Sequence, residues 1–334
     1  MSKTKVAING FGRIGRQIFR QYLKGDYNFE IVAINDPSKK EGVAHLLKYD
    51  STHGTLEEDV SINDQGDLVV DSKVYGFCSE FEPKKIDWKG HDVEVVIDAT
   101  GRFKDQQSLG EHIKESVKKV ILTAPGAVDH TIVMGVNHDT YDKDNHHIVS
   151  NASCTTNCLA PIAKVIDDNL GIENGLINTI HAYTADQRLV DGDHSDLRRA
   201  RAAAQSMIPT TTGAAKAVGL VLPHLQGKLD GGAVRVPTLN VSLVDAVFQV
   251  KKDTDIKKVN EMLTEASKNM PGILATECVP LVSCDYNGNR HSSTVDLLST
   301  TVIDKSVKVL SWYDNESGYS ARVLDLTKMI VEKL

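Results

Sequence analysis

One cysteine of the sequence stands where a thiol could act as a nucleophile. Cys154 follows Asn151-Ala152-Ser153, and apolar side chains recur at helical spacing over residues 159–166. This pattern predicts a helix that begins at the cysteine, with Ser153 or Asn151 as its N-cap. Unpaired N–H groups and the positive end of the helix dipole favour the thiolate, which is the reactive form. The alternative is a small buried apolar residue, as most free cysteines are.

A base for this thiol has one natural candidate, His181. A thiol needs a base within hydrogen-bond reach to be a good nucleophile near neutral pH, and histidine titrates in that range. Residues 176–184 are predicted to form a strand, with His181 at or near its end. The sequence has twelve histidines, so one could also lie in a strand by chance. Cys158 lies one helical turn after Cys154, but no second Cys/His pair accompanies it, so no metal site is expected.

A glycine-rich turn near the start of the chain is a candidate phosphate cradle. Gly10-Phe-Gly-Arg-Ile-Gly15 matches G-x-G-x-x-G; it follows a predicted strand at 5–9 and opens an amphipathic helix. The next predicted strand, 29–35, ends at Asp36. This is the context that the dinucleotide-binding fingerprint requires. The alternative is an ordinary βαβ unit with a glycine-rich turn.

Each glycine of the turn has its own task in that interpretation. Gly10 permits the tight turn, Gly12 lets a pyrophosphate approach the backbone, and Gly15 lets the helix pack closely on the sheet. The pyrophosphate would lie on the helix N-terminus. Asp36 would accept hydrogen bonds from the adenosine ribose and repel a 2′-phosphate, which favours NAD over NADP.

Two further groups of residues are candidate anion sites. Arg199, within Arg198-Arg-Ala-Arg201, and Arg235 are basic residues in an acidic chain. They could capture phosphate oxygens, or they could form surface ion pairs of little energetic value. Thr210-Thr-Thr-Gly213 precedes a predicted helix and could hold another anion.

Composition excludes several classes of protein. The chain has 334 residues, is 41% hydrophobic and 25% charged, and carries a net charge of −7. These values are typical of a soluble protein of two domains and lack the basic footprint of a nucleic-acid-binding protein. No apolar run approaches the ~18 residues of a membrane span, and no signal-peptide core precedes the first strand. Five cysteines without framework spacing favour the reducing cytoplasm.

The pattern of elements changes near residue 150. Strands and helices alternate up to that point, which predicts an α/β domain with a doubly wound parallel sheet. Within it we expect a helix at about 107–117, a strand at 132–136 and an antiparallel embellishment at 56–88. Beyond it, long β-branched runs with few helices predict an α+β domain with a large, mostly antiparallel sheet. A long polar stretch at 185–209 is typical of a functional or interface loop.

Taken together, the motifs resemble those of the phosphorylating glyceraldehyde-3-phosphate dehydrogenases. Ala152-Ser-Cys-Thr-Thr-Asn-Cys-Leu-Ala-Pro161 resembles the active-site signature of that family. Other segments resemble the family in the same order over essentially the whole chain: Asn9-Gly-Phe-Gly-Arg-Ile-Gly-Arg16, His181-Ala-Tyr-Thr184, Gly213-Ala-Ala-Lys216, Arg235-Val-Pro-Thr238, His291-Ser-Ser-Thr294 and Trp312-Tyr-Asp-Asn-Glu316. Leu197-Arg-Arg-Ala-Arg201 and Ile208-Pro-Thr-Thr-Thr-Gly213 are similar to the bacterial branch.

The resemblance implies an activity and an organisation. The reaction would be the glycolytic, NAD-dependent oxidative phosphorylation of D-glyceraldehyde 3-phosphate to 1,3-bisphosphoglycerate, through a hemithioacetal and a thioester on Cys154. Residues 1–150 would form an NAD-binding Rossmann domain, with the C-terminal helix 317–334 packed back on it. Residues 151–316 would form the catalytic domain. The protein would be a cytoplasmic homotetramer, whose loop 184–204 lies against the NAD site of a neighbouring subunit.

The family resemblance also implies a role for each site residue. Cys154 would be the nucleophile and His181 its base. The implied cofactor contacts are Gly10, Gly12, Arg13, Ile14, Asp36, Thr123 and Asn315. The implied inorganic phosphate contacts are Ser153, Thr155, Thr212 and Gly213. The substrate's own phosphate would be held by Thr184 and Arg235, and Arg199 would serve the anion sites.

The chain departs from the family pattern at three positions. Phe81 stands where many relatives have Lys or Arg, Ser317 stands at an aromatic position, and Gly192-Asp193 replaces Leu-Pro. No cofactor role is therefore carried over to Phe81, and Asp193 would add a charge against NADP if it faces a neighbour's ribose. Two alternatives stay open: an erythrose-4-phosphate dehydrogenase, which shares most of these motifs, and a dinucleotide-binding or adhesive module with vestigial catalysis.

Overall fold

The computed structural model describes residues 2–334, which divide into two compact units. The first unit runs up to Ile132 and includes Asp139–Ala152 and Ser320–Leu334. The second comprises Val133–His138 and Ser153–Tyr319. The domain limits at residues 150 and 316 remain predictions beside this division. Within residues 2–334, no helix combines the length and apolar character that a bilayer span requires.

The first unit is built on a nine-stranded sheet. Its strands and the neighbouring hairpin are β1 (Thr4–Asn9), β2 (Phe29–Asn35), β3 (Tyr49–Asp50), β4 (Gly54–Thr55), β5 (Val60–Ile62), β6 (Leu68–Val70), β7 (Lys73–Cys78), β8 (Val95–Asp98), β9 (Lys119–Leu122), β10 (His130–Thr131) and β11 (Ile148–Ser150). Its helices are α1 (Arg13–Leu23), α2 (Lys40–Lys48) and α3 (Gln106–Gly110). The sheet order is β10-β11-β9-β8-β1-β2-β7-β6-β5, and β3 pairs only with β4.

All neighbours from β10 to β7 in this order are parallel, whereas β7-β6-β5 is an antiparallel edge. The predicted doubly wound parallel sheet and the antiparallel embellishment are thus confirmed. Every residue of β8 and β9 is buried, as the continuous apolar runs of a parallel sheet require. The register places the carboxyl ends of three central strands side by side, because Asn9 pairs with both Asn35 and Asp98.

Two sequence predictions in this part of the chain were wrong. The helix expected at about 107–117 ends at Gly110, and Glu115 has a φ of +53°, which no helix residue adopts. The strand expected at 132–136 is a turn. Gly135 there has a φ of +80°, and the Asn137 side chain accepts a hydrogen bond from the Val133 N–H at 2.9 Å. The Val133 N–H thus bonds to a nearby side chain and not to a neighbouring strand.

The second unit contains a seven-stranded mixed sheet. Its strands are β12 (Ile172–Ala182), β13 (Ile208–Thr211), β14 (Leu229–Val236), β15 (Ser242–Val250), β16 (Leu274–Glu277), β17 (Ser293–Ile303) and β18 (Ser306–Tyr313). Its helices are α4 (Cys154–Leu170), α5 (Ala214–Val221) and α6 (Ile256–Asn269). The last helix of the chain is α7 (Ser317–Glu332).

The order of this sheet is β13-β14-β12-β15-β18-β17-β16. Only the pairs β12–β14 and β16–β17 are parallel, so the predicted large, mostly antiparallel sheet is confirmed. Helix α4 packs on β12, β15, β17 and β18 and is also covered by α5 and α6. Because it is buried on most sides, the position of its first residue, Cys154, is fixed by the core of the unit.

Two glycines of the turn before α1 make a matched pair for a stability test. A Cβ on Gly15 would lie 2.1 Å from the carbonyl oxygen of Gly10, whereas a Cβ on Gly12 would meet nothing within 4 Å. We predict that Gly15→Ala lowers the free energy of unfolding by ~1–3 kcal/mol or more, since the helix must move off the sheet. Gly12→Ala should cost less than ~1 kcal/mol. Urea unfolding followed by tryptophan emission measures both; equal losses would contradict the steric explanation.

Candidate active site

Cys154 is the first residue of α4, as the sequence predicts. Ser153 is the N-cap, and its Oγ accepts a hydrogen bond from the Thr156 N–H at 3.0 Å. The chain enters the helix through Ala152, whose φ of +55° is unusual for a residue with a Cβ. The half-buried thiol therefore lies at the positive end of the helix dipole, beside the N–H groups of Cys154 and Thr155, which favour its thiolate.

His181 lies beside the thiol. Its Nε2 is 3.5 Å from the Sγ of Cys154, although 27 residues separate the two in sequence. The other ring nitrogen, Nδ1, is 2.6 Å from the carbonyl oxygen of Ala182. Arg235 Nη1 is also 3.2 Å from Nδ1, but the carbonyl oxygen is nearer and only accepts hydrogen bonds. Nδ1 therefore carries the proton, and Nε2 is left as an acceptor that faces the sulfur. This is the arrangement of a nucleophile with its general base and an orienting group.

Burial keeps both partners neutral in this unit. It lowers the pKa of His181 to about 3, and the charge of Arg235 acts in the same direction. Burial also raises the pKa of the Cys154 thiol, while the positive charge of Arg235 opposes that rise. At neutral pH the imidazole is therefore a proton acceptor, and a thiolate that forms beside it has a guanidinium to stabilise it.

Sheet register places Arg235 next to the base. Strand β14 runs parallel to β12, and Arg235 pairs directly with His181. Its Nη1 lies 3.2 Å from the Ala182 carbonyl oxygen and 3.4 Å from Thr184 Oγ1. Its Nε is buried and has no hydrogen-bond partner within residues 2–334. A buried guanidinium with an unused donor beside a threonine hydroxyl fits an anionic ligand.

Arg199 lies in the loop before β13 and is held by that loop and by β13 itself. Its Nη1 donates to Asp186 Oδ2 at 2.6 Å, its Nε to Thr210 Oγ1 at 3.0 Å, and its Nη2 to the Thr211 carbonyl at 3.2 Å. These contacts tie the guanidinium to the segment that leads into α5. Gly213 is the N-cap of α5 and has no side chain; the Ala214 N–H donates to Thr212 Oγ1 at 3.2 Å. Thr212 and Gly213 thus lie at a helix N-terminus that suits an anion.

Tyr313 is a residue of this site that sequence reasoning missed. Its hydroxyl lies 2.8 Å from Thr155 Oγ1 and 2.8 Å from Thr179 Oγ1. Its ring packs edge-on against His181, with 5.9 Å between the ring centroids. The only available signal was its place inside the segment 312–316. The hydroxyl of Thr155, a predicted phosphate contact, is thus hydrogen-bonded to Tyr313. Thr155 itself is 4% exposed.

The first unit holds most of the predicted cofactor residues at the carboxyl ends of its strands. Gly10 has a φ of +87°, and open space faces Gly12. The carboxylate of Asp36 accepts hydrogen bonds from the Phe11 N–H at 2.8 Å and the Ser38 N–H at 2.9 Å. The left-handed turn at Gly10, the open space beside Gly12 and the carboxylate of Asp36 at the end of β2 together fit a dinucleotide.

The remaining predicted cofactor residues have defined surroundings. Arg13 is in α1 and forms an ion pair with Asp50, with 2.7 Å between Nη1 and Oδ2. Ile14 follows it in the first turn of the helix and is partly exposed. Thr123 is half-buried after β9, and its N–H donates to the Asp98 carbonyl at 2.9 Å. Asn315, in the second unit, is buried and accepts a hydrogen bond from Ser242 Oγ at 2.9 Å.

Comparison with known proteins gives the family. Residues 4–106 match the family described as "Glyceraldehyde 3-phosphate dehydrogenase, NAD binding domain", and residues 153–315 match its "C-terminal domain". The chain belongs to the glyceraldehyde-3-phosphate dehydrogenase family. The family resemblance read from the sequence motifs is thus confirmed.

Individual relatives are similar over nearly their whole length. Glyceraldehyde-3-phosphate dehydrogenase 1 of Bacillus cereus is 54% identical over 333 residues, which cover 99% of each chain. Glyceraldehyde-3-phosphate dehydrogenase of Geobacillus stearothermophilus is 54% identical over 332 residues, or 98% of each chain. Glyceraldehyde-3-phosphate dehydrogenase 2 of Nostoc sp. is 52% identical, covering 98% of this chain and 99% of the relative.

The three departures from the family pattern lie in different surroundings. Phe81 is 64% exposed, so its ring is not part of the core. Ser317 is buried as the first residue of α7, and its N–H donates to Asp314 Oδ1 at 2.8 Å. Asp193 lies on an exposed loop, where its carbonyl accepts a hydrogen bond from Arg188 Nε at 2.7 Å.

The geometry predicts how the thiol depends on pH and on His181. With the pKa of His181 lowered to about 3 and that of Cys154 raised, only the thiol titrates above pH 6, and the thiolate fraction grows with pH. Alkylation of Cys154 by iodoacetamide should therefore accelerate from pH 6 to pH 9. His181→Asn should slow turnover by ~10²–10⁴-fold, the usual contribution of a general base. His45→Asn, on the exposed face of α2, is the matched control for the histidine substitution. An alkylation rate that falls as the pH rises would contradict the assignment of Cys154 as the group that titrates.

Proposed function

We propose that the chain is a phosphorylating glyceraldehyde-3-phosphate dehydrogenase of glycolysis. It oxidises D-glyceraldehyde 3-phosphate to 1,3-bisphosphoglycerate with NAD as cofactor and inorganic phosphate as second substrate. The observation that carries the proposal is the 3.5 Å contact between the Cys154 thiol and the acceptor nitrogen of His181, with Arg235 and Thr184 alongside. Membership of the family and the identity to bacterial relatives support the same activity.

The first step forms a bond between sulfur and carbon. His181 Nε2 takes the thiol proton, and Cys154 Sγ attacks the aldehyde carbon. The carbonyl oxygen becomes the hydroxyl of a hemithioacetal when it receives that proton from His181 Nε2, which leaves the imidazole neutral again. The N–H groups at the start of α4, or the His181 ring, stabilise the negative charge that develops on this oxygen.

In the second step the hemithioacetal loses two electrons and becomes a thioester. His181 Nε2 takes the proton of its hydroxyl while the carbon–hydrogen bond breaks. NAD, when bound, supplies the hydride acceptor for this bond. The hydrogen bond between Nδ1 and the Ala182 carbonyl keeps the imidazole in the tautomer that both proton transfers need.

In the third step inorganic phosphate attacks the thioester carbon. The carbon–sulfur bond breaks, Cys154 leaves as a thiolate, and an acyl phosphate is released. Two anions must therefore be held, one for each phosphate. We assign Thr184 and Arg235 to the substrate's phosphate and Ser153, Thr155, Thr212 and Gly213 to inorganic phosphate, with Arg199 serving both.

The cofactor residues are assigned by the same reasoning. Gly10 permits the tight turn, Gly12 leaves room for the pyrophosphate, and Arg13 and Ile14 contact it at the start of α1. Asp36 binds the adenosine ribose and disfavours a 2′-phosphate. Thr123 lies along the cofactor, and Asn315 holds the amide of the nicotinamide.

The assembly we propose is a cytoplasmic homotetramer. The loop 184–204 carries three large apolar side chains that are strongly exposed in the single chain: Leu189 at 82%, Val190 at 71% and Leu197 at 81%. Apolar side chains clustered on one loop are typical of a surface that another subunit covers. We also propose that residues 1–150 with the C-terminal helix bind NAD and that residues 151–316 carry out the chemistry.

Replacement of the nucleophile tests the proposal. Cys154→Ser should abolish NADH formation, because a serine hydroxyl is a far weaker acid than a thiol and does not give up its proton to a histidine of such low pKa. After the first turnover, the wild-type enzyme should form NADH only when inorganic phosphate is present, since the thioester otherwise persists. Initial rates against phosphate concentration, with NAD and NADP in parallel, measure both effects.

The same assay separates the alternatives. Cys284→Ser, which changes an exposed cysteine, is the matched control and should keep full activity. Normal turnover by the Cys154→Ser variant would end the assignment, and a rate independent of phosphate would indicate a non-phosphorylating enzyme. A preference for erythrose 4-phosphate at equal concentration would favour the related dehydrogenase.

A further inference from the structure

Ser242 is a buried residue of the second unit to which the mechanism assigns no task. It is the first residue of β15 and is 2% exposed. Its Oγ lies 3.1 Å from the Ala182 N–H and 2.9 Å from Asn315 Oδ1. The backbone N–H only donates, so Ser242 Oγ accepts there, and its own proton is free to go to Asn315. One hydroxyl thus connects two predicted elements of the site.

The first connection reaches the general base. Ala182 supplies the carbonyl oxygen that fixes His181 Nδ1 at 2.6 Å. Its N–H is bonded to Ser242, so the backbone next to the imidazole is held from both sides. Loss of the serine hydroxyl would leave this buried N–H without a partner, and the backbone would move to satisfy it. The imidazole would then lose its fixed angle toward the Cys154 sulfur.

The second connection sets the direction of an amide. Because the Ser242 proton goes to Asn315 Oδ1, this atom is the carbonyl oxygen and the NH₂ group points the other way. No side chain or backbone group among residues 2–334 takes a hydrogen bond from that NH₂ group. Asn315 therefore presents a donor, which suits the carboxamide oxygen of a nicotinamide and not its NH₂ group.

The segment around Ser242 is built for this contact. Val241 has a φ of +69°, a conformation that a β-branched residue adopts only at a cost. On its other side, Asn240 Nδ2 donates to Asp314 Oδ2 at 2.8 Å. Asn240 and Ser242 thus bond two successive residues, Asp314 and Asn315. The left-handed turn at Val241 lets both side chains face the same segment.

We propose that Ser242 is a positioning residue that orients both the His181 imidazole and the Asn315 amide through one hydroxyl group. The Asn315 part rests on the proposed nicotinamide contact. The His181 part does not, because it concerns the thiol and its base in the absence of cofactor. The two parts are therefore measured separately.

The first measurement is the alkylation of Cys154 by iodoacetamide without NAD, from pH 6 to pH 9. Ser242→Ala should lower the rate constant at pH 7 by about five- to tenfold, the factor carried by one ordinary hydrogen bond, and move the profile to higher pH. Ser293→Ala is the matched control. It removes a buried hydroxyl from the same sheet, one that bonds Ser311 at 2.8 Å and contacts neither His181 nor Asn315.

The second measurement is the dissociation constant of NAD by isothermal titration. Ser242→Ala should weaken binding by about fivefold, because the amide of Asn315 is free to turn over. Asn315→Ala should weaken NAD binding as well, but it should leave the alkylation profile of Cys154 unchanged, since the contact between Ser242 and Ala182 remains. Only a shared hydroxyl predicts this asymmetry.

The outcomes are distinct. If Ser242→Ala alkylates like the wild type, or if Ser293→Ala shows the same loss, Ser242 has no positioning role. If the alkylation effect appears while NAD binding is unchanged in both variants, the nicotinamide contact of Asn315 is wrong and the His181 part stands. Should Ser242→Ala fail to fold, Ser242→Cys retains a weaker donor and acceptor, and an intermediate alkylation rate is expected.

Discussion

The hydrogen bond between His181 Nδ1 and the Ala182 carbonyl is the contact on which the chemistry of this site depends. At 2.6 Å it fixes the proton on Nδ1 and leaves Nε2 as the acceptor 3.5 Å from the Cys154 sulfur. With the opposite tautomer, an N–H would point at the thiol and no proton could be taken from it. The acceptor is a backbone carbonyl of the same strand end, so it depends on the sheet and not on a mobile side chain.

Burial and the charge of Arg235 oppose each other at Cys154 and act together at His181. Burial raises the pKa of Cys154 and lowers that of His181 to about 3, so it disfavours a permanently charged pair. Arg235 acts on both groups; it favours the thiolate and disfavours the imidazolium. A base that stays neutral can take a proton twice, once from the thiol and once from the hemithioacetal hydroxyl. We propose the same guanidinium as an anion ligand, and in that proposal substrate binding and thiol activation are electrostatically linked.

Sequence patterns predicted the parts of this protein that rest on local rules. The helix at Cys154, its Ser153 cap and the parallel sheet around Gly10 follow from apolar periodicity and capping chemistry. The helix at 107–117 failed because apolar spacing does not report a left-handed residue such as Glu115. Tyr313 was missed because its role comes from strand register, which brings β18 beside β15 and packs the ring against His181. The roles of the phosphate residues came from family resemblance and not from local rules.

The least predictable features are the backbone conformations that place the site. Ala152 and Val241 both have positive φ values, at +55° and +69°, where glycine would be the ordinary choice. Each immediately precedes a serine that bonds the site: Ser153 caps the helix of Cys154, and Ser242 holds Ala182 and Asn315. A strained residue persists only where its surroundings fix it, at ~1–3 kcal/mol each. The hydrogen bonds of these serines fix the strained turns in place. The strained conformations therefore contribute to the precision of the site, because they hold two hydroxyls where regular strands or loops would not.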